Sequence, residues 1–148
     1  IRSLDLIKPY NSKIPLTFSL NEHEVLELFT RIGVVLPELN PQAVVAALAI
    51  AREKIGFDEL VVHTPEFAAA STAREGEAIV IQERQTKVVR LAGAGDSFNG
   101  GYLCASLGNL PLRERLVMAN ATTAFFVTHG NGPTKEQLVA QIEKASDK

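Results

Sequence analysis

Apolar and polar positions follow two rhythms along this chain, one of period two and one near 3.6. Pro15-Leu16-Thr17-Phe18-Ser19-Leu20 reads as a short buried strand. From Asn21 the period lengthens, and Val25, Leu28 and Phe29 share one face of a helix predicted to reach about Thr30. Residues 33–36 read as either a second strand or a loop. Pro41 suits the first turn of a helix running to about Lys54, and Gly56 ends it. Leu60-Val61-Val62-His63 is apolar and β-branched, the pattern of a parallel strand. Three extended runs follow at 67–71, 78–82 and 86–90. Polar turns that include Gly76 separate them and predict an antiparallel meander. Beyond Arg90 the texture is helical. One helix is expected from Asp96 to about Leu107 with Gly108 as its stop. Another opens at Pro111 and ends at His129 with Gly130 as its cap. Thr134 and Gln137 form a capping-box pattern for a last helix.

Strand–helix–strand alternation with a hairpin insert and a helical tail predicts an α/β fold with a mostly parallel sheet. At 148 residues the chain fits one domain, 1–148, and can bury a real core. A net charge of −2 gives no basic field for a nucleic-acid partner. The longest apolar run, Ala43 to Ala51, is too short to cross a bilayer, so no membrane role is expected. No charged segment followed by an apolar stretch marks a signal peptide. The single cysteine, Cys104, excludes an internal disulfide framework and fits a reducing, cytoplasmic compartment.

The chemistry-bearing stretch is Gly93-Ala94-Gly95-Asp96-Ser97-Phe98-Asn99-Gly100-Gly101. Glycines where a strand region meets a helix let the backbone turn sharply and aim amide groups outward. Those amides and the positive end of the helix dipole make an anion site suited to phosphate. A carboxylate inside such a site repels phosphate. It makes sense if it accepts a proton from a hydroxyl that attacks the phosphoryl group. A second reading has Asp96 merely capping its helix and the glycines serving packing. Gly100 and Gly101 lie inside the helix, where each costs about 1 kcal/mol relative to alanine. Close approach of another backbone or a ligand would explain them. A dinucleotide fingerprint would need glycine at Phe98, and a P-loop would need a lysine and a hydroxyl after Gly100.

Residues 93–101 resemble the carboxyl-terminal motif of the ribokinase (PfkB) carbohydrate kinases. The resemblance implies a ribokinase-like three-layer α/β domain, of which this chain is the carboxyl-terminal, nucleotide-binding part. It implies that Asp96 is the base for the acceptor hydroxyl and that the Gly93, Ala94 and Gly95 amides stabilise the transferring phosphate. Met118-Ala119-Asn120-Ala121 and Phe126-Val127-Thr128-His129-Gly130 resemble the family's later helix and loop, which border the adenine. Asn120 and Gly130 are therefore nucleotide-binding candidates, although the pattern alone also permits Asn120 on a wet helix face. Leu20-Asn21-Glu22-His23-Glu24 resembles the Asn-x-x-Glu motif that organises magnesium and phosphates, making Asn21 and Glu24 metal candidates. The same pair is also a capping box, and both roles can hold together.

The chain departs from the family in two places. Arg90-Leu91-Ala92 stands where many members carry Asp-Thr-Thr, whose aspartate helps hold a monovalent cation. Activation by potassium is therefore doubtful. Thr64-Pro65-Glu66-Phe67-Ala68-Ala69 aligns with a Thr-x-Gly-x-x-Gly phosphate loop but lacks both glycines, so Thr64 is the one nucleotide-binding candidate there. His63 is read as a packed strand side chain rather than a ligand. The implied activity is transfer of the terminal phosphoryl of ATP, with Mg2+, to a hydroxyl of a sugar or nucleoside. A non-catalytic nucleotide-binding module and an ADP-dependent sugar kinase are the alternatives. In the family an amino-terminal half supplies acceptor contacts and a lid. The chain is thus expected to be part of a longer one and inactive by itself. An exposed sheet edge invites association and leaves a homodimer open.

Overall fold

The backbone is described here from a computed structural model, which covers residues 2–11, 13–36, 38, 40–82 and 84–146. It divides into two units, Ile1–Ile81 and Gln82–Lys148.

The first unit opens with α1 (Arg2–Asn11), which sequence pattern did not predict. Pro9 lies inside this helix, and its large apolar side chains Leu6, Ile7 and Tyr10 are exposed. Tertiary contacts hold it instead. Leu4 enters the core, the Asn11 side chain donates to Gly56 O at 2.9 Å, and it accepts from Asp58 N at 3.3 Å. Next come β1 (Thr17–Asn21), α2 (Glu22–Ile32) and α3 (Pro41–Ile55). Asn21 and Asn40 cap the two helices at their starts, and Gly33 and Gly56 end them in the left-handed region. Residues 33–36 are a loop after α2, not a strand.

Strands β2 (Glu59–His63), β3 (Phe67–Thr72) and β4 (Gly76–Ile81) complete a sheet of order β1-β2-β3-β4. β1 and β2 are parallel, whereas β2–β3 and β3–β4 are antiparallel. The sheet is therefore mixed, not mostly parallel. The reason is connection length. β2 to β3 and β3 to β4 are joined by three-residue turns, and a parallel pair needs a crossover of a dozen residues or more. Only the β1–β2 connection, which carries α2 and α3, is long enough.

Helix α3 packs along β2, β3 and β4, and α2 packs on β1 and β2. The core between them joins Val25, Phe29, Val44 and Leu48 to Leu60, Val62 and Phe67. Each large side chain fully buried there contributes about 1.5–3 kcal/mol of transfer free energy. Val61, Ala68 and Ala70 on the opposite face are also fully buried, so the central residues 60–62 of β2 and 67–70 of β3 read as apolar runs.

The second unit is helical: α4 (Ala94–Leu107), α5 (Leu112–His129) and α6 (Lys135–Ser146). The run at 86–90, expected as a third strand of the meander, forms none. Its Val89 and Arg90 amides both donate to Val127 O near the end of α5, at 2.8 and 3.2 Å, instead of to a strand. Thr134 and Gln137 exchange side chain and backbone bonds of 2.8 and 3.3 Å at the start of α6, as the capping-box pattern requires. No helix among the described residues is long and apolar enough to cross a membrane.

Helices α4 and α5 meet at Gly101. A Cβ built there would lie 2.7 Å from Thr122 Oγ1 and 3.0 Å from Ala119 Cα. Gly100, its neighbour, has nothing within 4 Å of such a Cβ. The two helix-interior glycines therefore have opposite standing, and only Gly101 is explained by packing. In the full-length protein, Gly101→Ala is expected to destabilise by about 1–3 kcal/mol because backbone must move. Gly100→Ala should stabilise by about 0.5–1 kcal/mol. Urea unfolding of both variants measures the contrast, and equal effects would contradict it.

Candidate functional site

The predicted site residues fall into one cluster in each unit. In the second unit the cluster is built where α4 begins. Gly93 precedes the helix with φ 94°, a left-handed conformation that favours glycine, and makes no side-chain cap. Ala94 N donates to Leu91 O and Ser97 N to Gly93 O, each at 2.9 Å, so a tight turn leads straight into the helix. Asp96 stands in the first turn and is exposed. The capping reading of Asp96 fails, because no side chain caps this end. The starts of α2, α3 and α6 are each closed by a side chain, and α5, entered from Pro111, is open like α4 but lacks its glycine turn. At α4 the result is an open helix N-terminus that carries partial positive charge and presents a carboxylate to solvent.

The end of α5 lies against this turn. A Cβ on Gly93 would meet Phe126 Cζ at 3.2 Å, so the Phe126 ring floors the glycine turn. Gly130 caps α5 at φ 82°, and a Cβ there would meet Val89 Cγ1 at 3.3 Å. Gly130 and Gly93 thus bracket one strap, residues 89–92. Sequence reasoning placed Phe126 in a motif but gave it no role. The signal available was an aromatic residue near the end of a helix beside a glycine turn, and it becomes specific only with contact in hand.

Asn120, on α5, is 5% exposed, and neither its Nδ2 nor its Oδ1 has a hydrogen-bond partner. It is not on a wet helix face. A buried carboxamide left without partners costs about 1–3 kcal/mol, so its presence calls for a group that supplies both an acceptor and a donor.

In the first unit the cluster forms at the carboxyl ends of the parallel strands β1 and β2, where α/β sheets place ligands. Asn21 Oδ1 accepts from His23 N at 2.9 Å and Glu24 N at 3.0 Å, and Glu24 Oε2 accepts from Asn21 N at 2.8 Å. The capping box is complete, and it fixes the exposed Glu24 carboxylate at the end of β1. Strand register brings His63 beside Asn21. The next residue, Thr64, is buried in the β2–β3 turn. Its hydroxyl donates to Phe67 O at 3.0 Å and accepts from the Glu66 and Phe67 amides at 3.2 and 3.0 Å. The hydroxyl builds the turn that the absent glycines would otherwise build, and Glu66 is exposed on that turn. Among the described residues no three His, Cys, Asp or Glu side chains group as a metal cage.

The fold and the motifs have known counterparts. The model of the pfkB family of carbohydrate kinases matches residues 11–137. An uncharacterized sugar kinase of Escherichia coli, YegV, is 40% identical over 57 residues, covering 36% of this chain and 18% of that protein. Escherichia coli phosphofructokinase-2, solved with substrates and products, superposes with TM-score 0.73 at 18% identity, over 97% of this chain and 45% of the other. A candidate ribokinase II from Escherichia coli in complex with ATP and Mg2+ gives 0.58 at 26% identity, over 88% of this chain and 39% of the other. The α/β fold is therefore ribokinase-like. The chain spans less than half the length of these relatives.

His63 also supplies a measurable marker for the first cluster. Burial pushes its imidazole below the ordinary value of 6.5, while the Glu24 and then the Glu22 carboxylates pull it upward. Below pH 6.5 the unfolded chain then binds a proton that the folded one resists, so stability falls as the pH drops through the lowered folded value. In the full-length protein, melting temperature followed from pH 7.5 downward should decline in this window, and His63→Gln should flatten the decline. An unchanged slope in the variant would show that other groups set it.

Proposed function

We propose that this chain, which belongs to the pfkB family of carbohydrate kinases, is the nucleotide-side part of a small-molecule kinase. The reaction is transfer of the terminal phosphoryl group of ATP to a hydroxyl of a sugar or nucleoside, with Asp96 as general base. The observation that carries the reading is the open start of α4, where an exposed carboxylate stands in an uncapped, glycine-led first turn. A helix-capping role would have closed that end, and a pure phosphate-binding role would not have placed a negative charge there.

In this reading the acceptor O–H gives its proton to Asp96 as its oxygen bonds to phosphorus, and the bond to the bridging oxygen of ADP breaks. The Gly93, Gly95 and Asp96 amides and the α4 dipole stabilise the charge on the transferring group, while the Ala94 amide, given to Leu91 O, holds the turn that aims them. Asn120 carries an unpartnered carboxamide that matches the donor and acceptor edge of adenine and would have to be uncovered to reach it, and Gly130 shapes the end of α5. Thr64 contributes through the turn it builds. Mg2+ fits Glu24, because that ion keeps several waters and phosphate oxygens and needs only one or two carboxylates from protein. When bound it supplies neutralisation of phosphate charge, and Asn21 holds Glu24 in position for it through the capping box. The relative solved with ATP and Mg2+ supports the choice of donor and metal.

A non-catalytic nucleotide-binding module is the second reading. It draws on the glycine-free turn at Thr64, where the exposed Glu66 adds negative charge.

Removing the base tests both. Asp96→Asn in the full-length protein is expected to lower turnover by about 100-fold or more while nucleotide affinity is kept or improved. Near-normal turnover in a kinase assay across sugars and nucleosides sinks the assignment. For the metal, Glu24→Gln keeps a capping-box acceptor but loses the charge. Its magnesium requirement should rise several-fold with little change in melting temperature. A loss of about 1 kcal/mol in stability with an unchanged magnesium response would leave Glu24 as a cap alone.

A further inference from the structure

Arg90 is held against the glycine turn by three separate contacts. Its backbone N–H donates to Val127 O at 3.2 Å, which ties it to the end of α5. Its side chain folds toward the turn, where Nε donates to Ala92 O at 3.0 Å, one residue before Gly93. Its guanidinium carbon lies 5.3 Å from the centre of the Phe126 ring, and that same ring floors Gly93. Cation, aromatic ring and glycine turn are thus one assembly. A positive charge stands beside the start of α4, close in sequence and contact to the turn that carries Asp96.

The geometry is informative because so little of the guanidinium is used. One N–H goes to Ala92 O, and the residue remains exposed, so both Nη groups stay available to a ligand. Stacking on Phe126 orients the planar fork without consuming its donors. A guanidinium fork matches the spacing of phosphoryl oxygens, and its bonds to an anion are stronger than neutral ones. The repulsion between Asp96 and a bound phosphate also calls for an opposing charge nearby. Arg115 does not supply it, because its Nε donates to Leu110 O at 2.7 Å, beyond the other end of α4.

We propose that Arg90 is a phosphate-binding residue of the transfer reaction. Its Nη groups bond non-bridging oxygens of the nucleotide phosphates at the start of α4 and offset the Asp96 carboxylate. This rests on the kinase reading above and adds a residue to it. Arg90 transfers no proton and forms no covalent bond, and its charge is the same before and after the step.

The test compares Arg90→Met, Arg90→Lys and Asp96→Asn in the full-length protein. Methionine keeps an unbranched stem on the Phe126 ring, and lysine keeps the charge but not the fork. ATP affinity by calorimetry, kcat, KM for ATP and melting temperature are measured for each. Arg90→Met is expected to weaken ATP binding and to lower kcat/KM by about ten-fold or more, as loss of a charged hydrogen bond implies, with its melting temperature retained. Arg90→Lys should recover part of the loss, and Asp96→Asn should lose turnover but keep ATP affinity. Arg90→Met with normal ATP affinity and kinetics, beside an inactive Asp96→Asn, overturns the Arg90 assignment alone. A lowered melting temperature with unchanged kinetics also overturns it and leaves Arg90 as a structural strap. Near-normal turnover of Asp96→Asn overturns the kinase reading and this inference with it.

Discussion

The contact at Gly101 is the constraint on which the second unit depends. Helix α5 comes so near α4 that a methyl group there would press on Ala119 Cα and on the Thr122 side chain. Closely approaching backbones leave little room for sliding, because every neighbouring side chain is then in contact. That approach is what puts the end of α5 under the start of α4, with Phe126 beneath Gly93. The left-handed turn at Gly93 follows, since a side chain would be strained by φ 94° and crowded by the ring. The direction of the first α4 amides is therefore inherited from a packing contact eight residues further along the chain. The helix interior accepts the propensity cost of glycine so that its beginning can be aimed.

In the first unit, the bonds that stabilise the start of α2 also order the candidate site. Asn21 satisfies two amides at the start of α2, and Glu24 returns a bond to the Asn21 amide. This reciprocal pair is worth about 1 kcal/mol as a cap. It also orders a carboxylate at the carboxyl end of a parallel strand, where otherwise a long exposed side chain would be mobile. The neighbouring strand adds His63 alongside, and its burial resists a positive charge even with two glutamates nearby. The turn after it is tied by the Thr64 hydroxyl rather than by glycines. Side-chain bonds here replace backbone permissiveness, and the price is that Thr64 has no spare hydroxyl capacity in the turn.

Much of the local structure was legible in the residues alone. Asn21 with Glu24, Pro41 with Gly56, Gly130, and Thr134 with Gln137 announce helix ends, since capping is chemistry between near neighbours. The glycine-led start of α4 was recognisable too, because a sharp turn into a helix is also local. What was misread depends on residues distant in sequence. Helix α1 has a proline and an exposed apolar face, and it forms because Leu4 and Asn11 are held by the core and by residues 56–58. The β-branched run at 86–90 has the composition of a strand, yet its amides find Val127 O on a helix. The sheet was expected to be mostly parallel from its strand–helix–strand alternation and from the apolar run in β2, although the runs after β2 were expected to be antiparallel and the first two are. An apolar run reports burial on two faces and says nothing about strand direction.

Sequence by itself therefore determined most of the helix ends and singled out the short motif that is the candidate for phosphate chemistry. Each of these is settled by backbone freedom and hydrogen bonds within a few residues. Only tertiary structure decided that Gly101 is a packing glycine while Gly100 is not, and that Asn120 is buried without partners. It alone decided that Arg90 lies across Phe126 beside the turn. Those facts depend on which surfaces meet, and a side chain's burial, partners and charge environment do not exist until segments far apart in the chain have packed.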